Sequence, residues 1–132
     1  MKNPLLASMA LVGALLLSSA ALAQGGDAAK ELATAREHAQ LAEASQSVVV
    51  AKMHLHHVIN CLVGPHGRGF DPAAGNPCKG MGEGAVKDAQ GDHMRLEQAT
   101  HALAYARRGV AAKGLPEVHK AAAGVIQSIT GG

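Results

Sequence analysis

Apolar residues recur every three to four positions through most of the chain beyond residue 27, a spacing that predicts amphipathic α-helices. The first such stretch spans Ala28–Ala44, and Asp27 directly before it is suited to cap its first turn. The side chains predicted to face the core are those of Ala28, Leu32, Ala35, Ala39 and Ala42.

A second apolar stripe follows a weak break at Ser45-Gln46-Ser47. It must end before Gly64-Pro65, since this pair does not continue a helix. One long helix over residues 28–62 and a hairpin of two helices are both compatible with this pattern. Residues 83–90 predict one or two further helical turns. The members of the second stripe are Val48, Ala51, Leu55, Val58, Ile59 and Leu62.

The last part of the chain predicts two more helices. Asp92 is suited to cap the first, Gly114 is expected to end it, and Pro116 fits the first turn of the next. The fold class predicted is therefore all-α, an antiparallel four-helix bundle made of two hairpins. It forms a single domain over residues 24–132, with a Gly/Pro loop at 63–82. The two apolar faces comprise Leu96, Ala99, Leu103, Ala106 and Val110, then Val118, Ala122, Val125 and Ile129.

Residues 1–23 have the pattern of a signal peptide rather than of a folded segment. Lys2 supplies the positive start, residues 5–17 are apolar, and Ala21-Leu22-Ala23 is a cleavage site of the small-x-small type. A retained membrane anchor is the alternative. We expect cleavage after Ala23, a periplasmic location, and no membrane association of the mature chain.

The two cysteines bracket the segment that is rich in glycine and proline. In an oxidising compartment an even cysteine count favours a disulfide, and the only pairing is Cys61–Cys78. The competing interpretation is a thiolate metal ligand at Cys61, four residues after His57.

Composition excludes several classes of protein. Aromatic residues make up 2% of the chain, too few for a β-sandwich or barrel. The formal net charge is only +2, with no basic stripe that would favour nucleic acid. The chain has no Cys-x-x-Cys-His for covalent haem, no His-Glu-x-x-His, and no nucleophile–base set, so we expect no enzymatic activity. Eight histidines are the excess that needs a chemical explanation.

A helical wheel gathers these histidines with other metal-binding side chains. On the second helix Met53 and His57 share one face, with His54 at its margin. On the helix after Asp92, a similar face carries a methionine, a carboxylate and a histidine, while two further histidines flank the apolar faces of the outer helices. Imidazole with thioether suits copper, and imidazole with carboxylate suits zinc, nickel or iron. The predicted metal ligands are His38, His54, His57, His101, His119, Met53, Met94 and Glu97.

Three histidines lie beside or close to an alanine in Ala-rich helices that follow a secretory signal. The segments are Glu37-His38-Ala39, Thr100-His101-Ala102 and Glu117-Val118-His119-Lys120-Ala121. In this respect the chain resembles the small periplasmic metal-binding protein family of ammonia-oxidising bacteria. The resemblance implies a four-helix bundle that binds divalent metals, copper prominently, through His38, His101 and His119. The chain departs from that family in having fewer histidines and in the cysteine-bracketed insertion, which favours one or two defined sites.

The predicted function is thus an exported protein that binds a transition metal, copper first, with zinc or nickel as alternatives. Pairing with a second copy is left open. A bundle that binds haem without a covalent bond, through bis-His or His/Met ligands, is a second hypothesis. A third is a structural or interaction protein of the cell envelope, in which the loop carrying Phe70 and His66 docks a partner.

Overall fold

A computed structural model describes residues 25–131, and the predicted signal segment 1–23 lies outside these residues. The described chain is all-helical, with five helices and no strand between residues 25 and 131. None of these helices is both long enough and apolar enough to cross a membrane. The helices are α1 (Ala28–Ala44), α2 (Val48–Val63), α3 (Ala85–Asp88), α4 (His93–Ala111) and α5 (Leu115–Thr130).

The break at Ser45–Ser47 separates two helices, so residues 28–62 are not one long helix. The Asp27 side chain accepts a hydrogen bond from the Lys30 N–H and caps α1, as predicted. Ser47 caps α2 in the same way through the Val50 N–H. Each cap satisfies a backbone donor that the first helical turn leaves unpaired. A three-residue connection therefore folds α2 back towards α1.

The second half of the chain follows the predicted order of helices, with one change at their junction. Asp92 caps α4 through the Arg95 N–H. The helix ends at Ala111 rather than at Gly114, and Gly114 instead occupies the N-cap position of α5. Pro116 lies in the first turn of α5, where a missing N–H costs no hydrogen bond.

The four long helices pack in neighbouring pairs. The main contacts join α1 to α2 and α4 to α5, and further contacts join α1 to α5 and α2 to α4. Alanine makes up half of the core, and the leucine and valine residues come mostly from α2 and α5. Small side chains let helix backbones approach closely, and the short connections suit this pairing. The antiparallel four-helix arrangement itself stays a prediction.

A long connection from residue 64 to residue 84 joins the two halves, and the Cys61–Cys78 disulfide holds it. The two cysteines are bonded and both are buried, so the disulfide prediction is confirmed and Cys61 is not a free thiolate ligand. The predicted turns at residues 83–90 contain the single short helix α3. The bond fixes the middle of the long connection to the end of α2.

One acidic side chain of α1 lies inside the core, which the apolar pattern did not predict. Glu31 is only 1% exposed, and its Oε1 accepts a hydrogen bond from the Gly84 N–H at 3.0 Å. Among the described residues its Oε2 has no hydrogen-bond partner. Burial, with smaller contributions from the neighbouring carboxylates of Asp88 and Asp27, raises the pKa of Glu31 to about 7, although the bond from the Gly84 N–H acts in the opposite direction. This carboxyl ties the end of the long connection to α1.

Candidate metal centre

Three histidines meet on one side of the α1–α2 hairpin. His38 comes from α1, and His54 and His57 lie three positions apart on α2. Each stands next to a buried core residue in sequence, so its ring lies at the border between core and solvent. All three residues are half-buried, and each offers a ring nitrogen within 4.8 Å of the others. They are close enough together to hold a metal ion.

The distances between ring nitrogens match the spacing of ligands around one ion. The Nδ1 of His38 lies 3.2 Å from the Nδ1 of His54 and 3.2 Å from the Nδ1 of His57. Bonds of about 2.0–2.1 Å at a tetrahedral angle place neighbouring nitrogen donors about 3.3 Å apart. The ring centroids are 4.6–5.7 Å apart, with two of the three pairs arranged edge to face. The cluster therefore needs little rearrangement to accept a metal ion.

A backbone carbonyl from the long connection determines which nitrogen of His57 faces the cluster. The Nε2 of His57 lies 2.6 Å from the carbonyl oxygen of Ala74. A carbonyl only accepts, so Nε2 carries the hydrogen and Nδ1 keeps its lone pair. That lone pair is directed at the Nδ1 of His38. Metal-binding histidines usually have such an acceptor on the nitrogen opposite the metal.

The electrostatics of the cluster favour uncharged rings. Burial, together with smaller contributions from the neighbouring rings of His57 and His54, lowers the pKa of His38 to about 4. The pKa of His54 is also lowered, by burial and by His57. Both rings are then neutral at neutral pH. Neutral imidazole is the form that binds a metal.

His119, one of the other predicted ligands, makes a different contact. Its Nε2 lies 2.8 Å from the carbonyl oxygen of Ser45. Ser45 is the C-cap residue of α1, so the ring of His119 donates to the turn between α1 and α2. This bond joins α5 to the α1–α2 hairpin.

The predicted ligands of α4 lie in a separate cleft between α4 and α5. Met94, Glu97 and His101 line this cleft, which has a volume of about 430 Å³. None of the three clustered histidines lines it. Met53 is 42% exposed and lies one turn before His57 on α2. The structure thus gathers three of the eight predicted ligands into one cluster.

Two contributors to the site were not identified as functional from the sequence. Ala74 acts through its backbone, which carries no side-chain signal. Asn60 is fully buried and bonds the backbone of the long connection on both sides of Ala74. The available signal was an amide in an otherwise apolar helical turn, three residues after His57.

None of the protein-family models, curated proteins or solved structures compared with this chain matches it. The resemblance to the periplasmic metal-binding family stays a hypothesis. The functional interpretation rests on the geometry of the three histidines.

Proposed function

We propose that this protein binds one transition-metal ion, copper in the first place, through His38, His54 and His57. The observation that carries the proposal is the convergence of three Nδ1 atoms, two pairs of which are 3.2 Å apart. Three protein ligands leave one coordination position open for water or for an exchanging ligand. Met53, one turn before His57 on α2, is the predicted thioether ligand nearest to the cluster along the helix.

Copper is favoured by the chemistry of the donor set. Imidazole nitrogen is a good ligand for copper, zinc and nickel, and among divalent ions a nitrogen site binds Cu²⁺ most tightly. Zinc and nickel are the competitors that a binding measurement must include. The proposal assigns a binding role, in keeping with a sequence that carries no nucleophile–base set.

We place this protein in the periplasm and propose that its helices form an antiparallel four-helix bundle. A disulfide in a small domain is typical of an exported protein. The signal pattern of residues 1–23 supports the same compartment. An open coordination position is compatible with exchange of the ion between ligands.

The test is a copper titration of the purified protein in competition with a chromophoric chelator. We expect one tightly bound Cu²⁺ per chain and weaker binding of Zn²⁺ and Ni²⁺. His54→Ala and His57→Ala should each weaken copper binding by more than about 10–100-fold, since loss of an outer partner alone costs that much. Nitrogen couplings in the electron paramagnetic resonance spectrum should report several imidazole ligands.

His93→Ala is the matched control, because the His93 side chain is 95% exposed and lies outside the cluster. It should bind copper like the wild type. His101→Ala tests the α4–α5 cleft and should also leave the tight site unchanged. The proposal is refuted if the wild type takes up no stoichiometric copper. It is also refuted if copper binding is lost in His101→Ala but kept in His57→Ala.

A further inference from the structure

The loop between the two cysteines has a structural connection to the histidine cluster that the proposed function does not use. Ala74 contacts His57 from within this loop, at an Nε2–oxygen distance of 2.6 Å. The loop residues 72–75 form a turn, in which the Gly75 N–H bonds to the carbonyl of Pro72. Gly75 has a φ of +91°, a left-handed conformation that glycine adopts without strain. The turn therefore directs the Ala74 carbonyl at the ring of His57.

Asn60 holds this turn at both ends. Its Nδ2 donates to the carbonyl oxygens of Asp71 at 2.7 Å and of Gly75 at 2.6 Å. Its Oδ1 accepts from the Asp71 N–H at 2.8 Å. Both amide hydrogens are used, and the residue is fully buried. Such a side chain fixes the backbone around it, because any movement would leave buried polar groups unpaired.

The spacing along α2 explains why one helix can support both the ring and the loop. Asn60 follows His57 by three positions and Cys61 follows it by four, so the three side chains project from neighbouring points of one helical surface. Cys61 joins the loop covalently at Cys78, beyond the turn that Asn60 holds. The loop is thus attached to α2 directly beside the metal-site histidine.

We infer that Asn60 is a positioning residue for the metal site: it holds the Ala74 carbonyl in place, and that carbonyl fixes the hydrogen of His57 on Nε2 so that Nδ1 faces His38 and His54. This inference rests on the proposed function. It assigns a role to the cysteine-bracketed loop, which supports the site from outside its ligands. Outer hydrogen-bond partners of this kind orient a ligating ring and set its tautomer.

The test combines two measurements on Asn60→Ala, with Asn76→Ala as the matched control. Asn76 lies in the same loop, and its side chain also bonds a backbone N–H, but that of Cys78 rather than one of the turn. We expect Asn60→Ala to weaken copper binding roughly 10–100-fold. Asn76→Ala should bind copper like the wild type. Far-ultraviolet circular dichroism of both variants checks that the helices are intact.

The second measurement needs no metal. Long-range ¹H–¹⁵N nuclear magnetic resonance spectra of the metal-free protein report which ring nitrogen carries the hydrogen. The wild type and Asn76→Ala should show His57 with its hydrogen on Nε2, and Asn60→Ala should show a mixture of both tautomers. A wild-type His57 with its hydrogen on Nδ1 would overturn the inference, whether or not Asn60→Ala folds.

The outcomes separate the two proposals. If the wild type binds copper and Asn60→Ala matches Asn76→Ala in affinity and tautomer, the positioning role is wrong while the proposed function stands. If the wild type binds no copper, the proposed function is wrong. In that case Asn60 does not support a metal site either, and the tautomer spectra show only whether Asn60 orients the ring of His57.

Discussion

Glu31 and Asn60 are the two polar or charged side chains buried in the described helices, and they differ in how completely they are bonded. Asn60 uses both amide hydrogens and accepts one bond. Glu31 has one bonded oxygen and one without a partner among the described residues. A carboxyl in this setting is more stable when protonated, because a buried charge without a cation is costly. At the residue scale this makes the fold sensitive to pH.

The sign of this effect follows from the raised pKa of Glu31, about 7 when folded against 4.5 for the ordinary side chain. The contribution of Glu31 to stability is complete below about pH 4.5 and is lost as the pH rises through about 7. Glu31→Gln keeps an oxygen for the Gly84 N–H and removes the charge. We expect it to raise the free energy of unfolding at pH 8 by about 2 kcal/mol. At pH 4 the gain should be much smaller.

Urea unfolding of wild type and variant at pH 4, 6 and 8 checks this prediction. Glu43→Gln, an exposed change on the same helix, is the control and should follow the wild type at every pH. Equal gains at pH 4 and pH 8 would show that Glu31 does not titrate with folding in this range.

At the scale of elements, the apolar pattern predicted the buried face of α1 better than that of α4. All five predicted residues of α1 are buried. In α4 the buried residues are Ala99, Ala102, Ala106 and Gly109, while Leu96, Leu103 and Val110, which were predicted for the core face, are only partly buried. Small residues thus form the buried face of α4, and the larger apolar residues lie at its margins. A prediction from hydrophobicity alone therefore centres the core face of α4 on its larger side chains, whereas the smallest residues are the most buried.

Gly109 is the position of α4 where this close approach is most restrictive. A Cβ there would lie 2.3 Å from Leu55 Cδ1 and 2.8 Å from Ala121 Cβ, and both neighbours are buried. Gly109→Ala gains helix propensity of about 1 kcal/mol but overpacks the contact at a cost of about 1–3 kcal/mol. We expect a net loss of stability, measured as a lower midpoint of urea unfolding.

Gly124→Ala in α5 is the comparison for this change. Its new Cβ meets the ring of Tyr105, which is 36% exposed and can turn towards solvent. The loss of stability in Gly124→Ala should therefore be smaller than in Gly109→Ala. The reverse order would mean that α4 shifts more easily against α2 and α5 than the packing indicates.

At the scale of the whole molecule, stability depends on a core of small side chains and on one covalent link. Alanine contributes 12 of the 21 buried hydrophobic residues, so each helix contact removes little apolar surface from water. The disulfide closes a loop with a sequence separation of 17 residues. A bond of this span contributes about 3 kcal/mol by restricting the unfolded chain.

Cys61→Ala/Cys78→Ala should therefore lower the Tm by roughly 10–20 °C, as for other domains of this size. Thermal melts followed by circular dichroism provide the measurement. Wild-type protein treated with a reductant should melt near the double variant. A double variant that melts with the wild type would show that the loop is held by its hydrogen bonds alone.

Local features were predictable from residue order because they depend on neighbours in the chain. The caps at Asp27 and Asp92 and the core face of α1 follow from contacts within a few residues. The disulfide was predictable because two cysteines allow only one pairing. The excess of histidines also predicted a metal-binding site.

Which histidines meet was decided by the packing of α1 on α2 and by the path of the loop. His38 is 16 residues from His54, and a helical wheel orients each ring only relative to its own helix. The wheel therefore placed His57 and His101 on comparable faces without indicating that His101 lies apart from the cluster, in the cleft between α4 and α5. The Ala74 carbonyl and the buried Glu31 depend on backbone contacts distant in sequence, so only the assembled molecule reveals them.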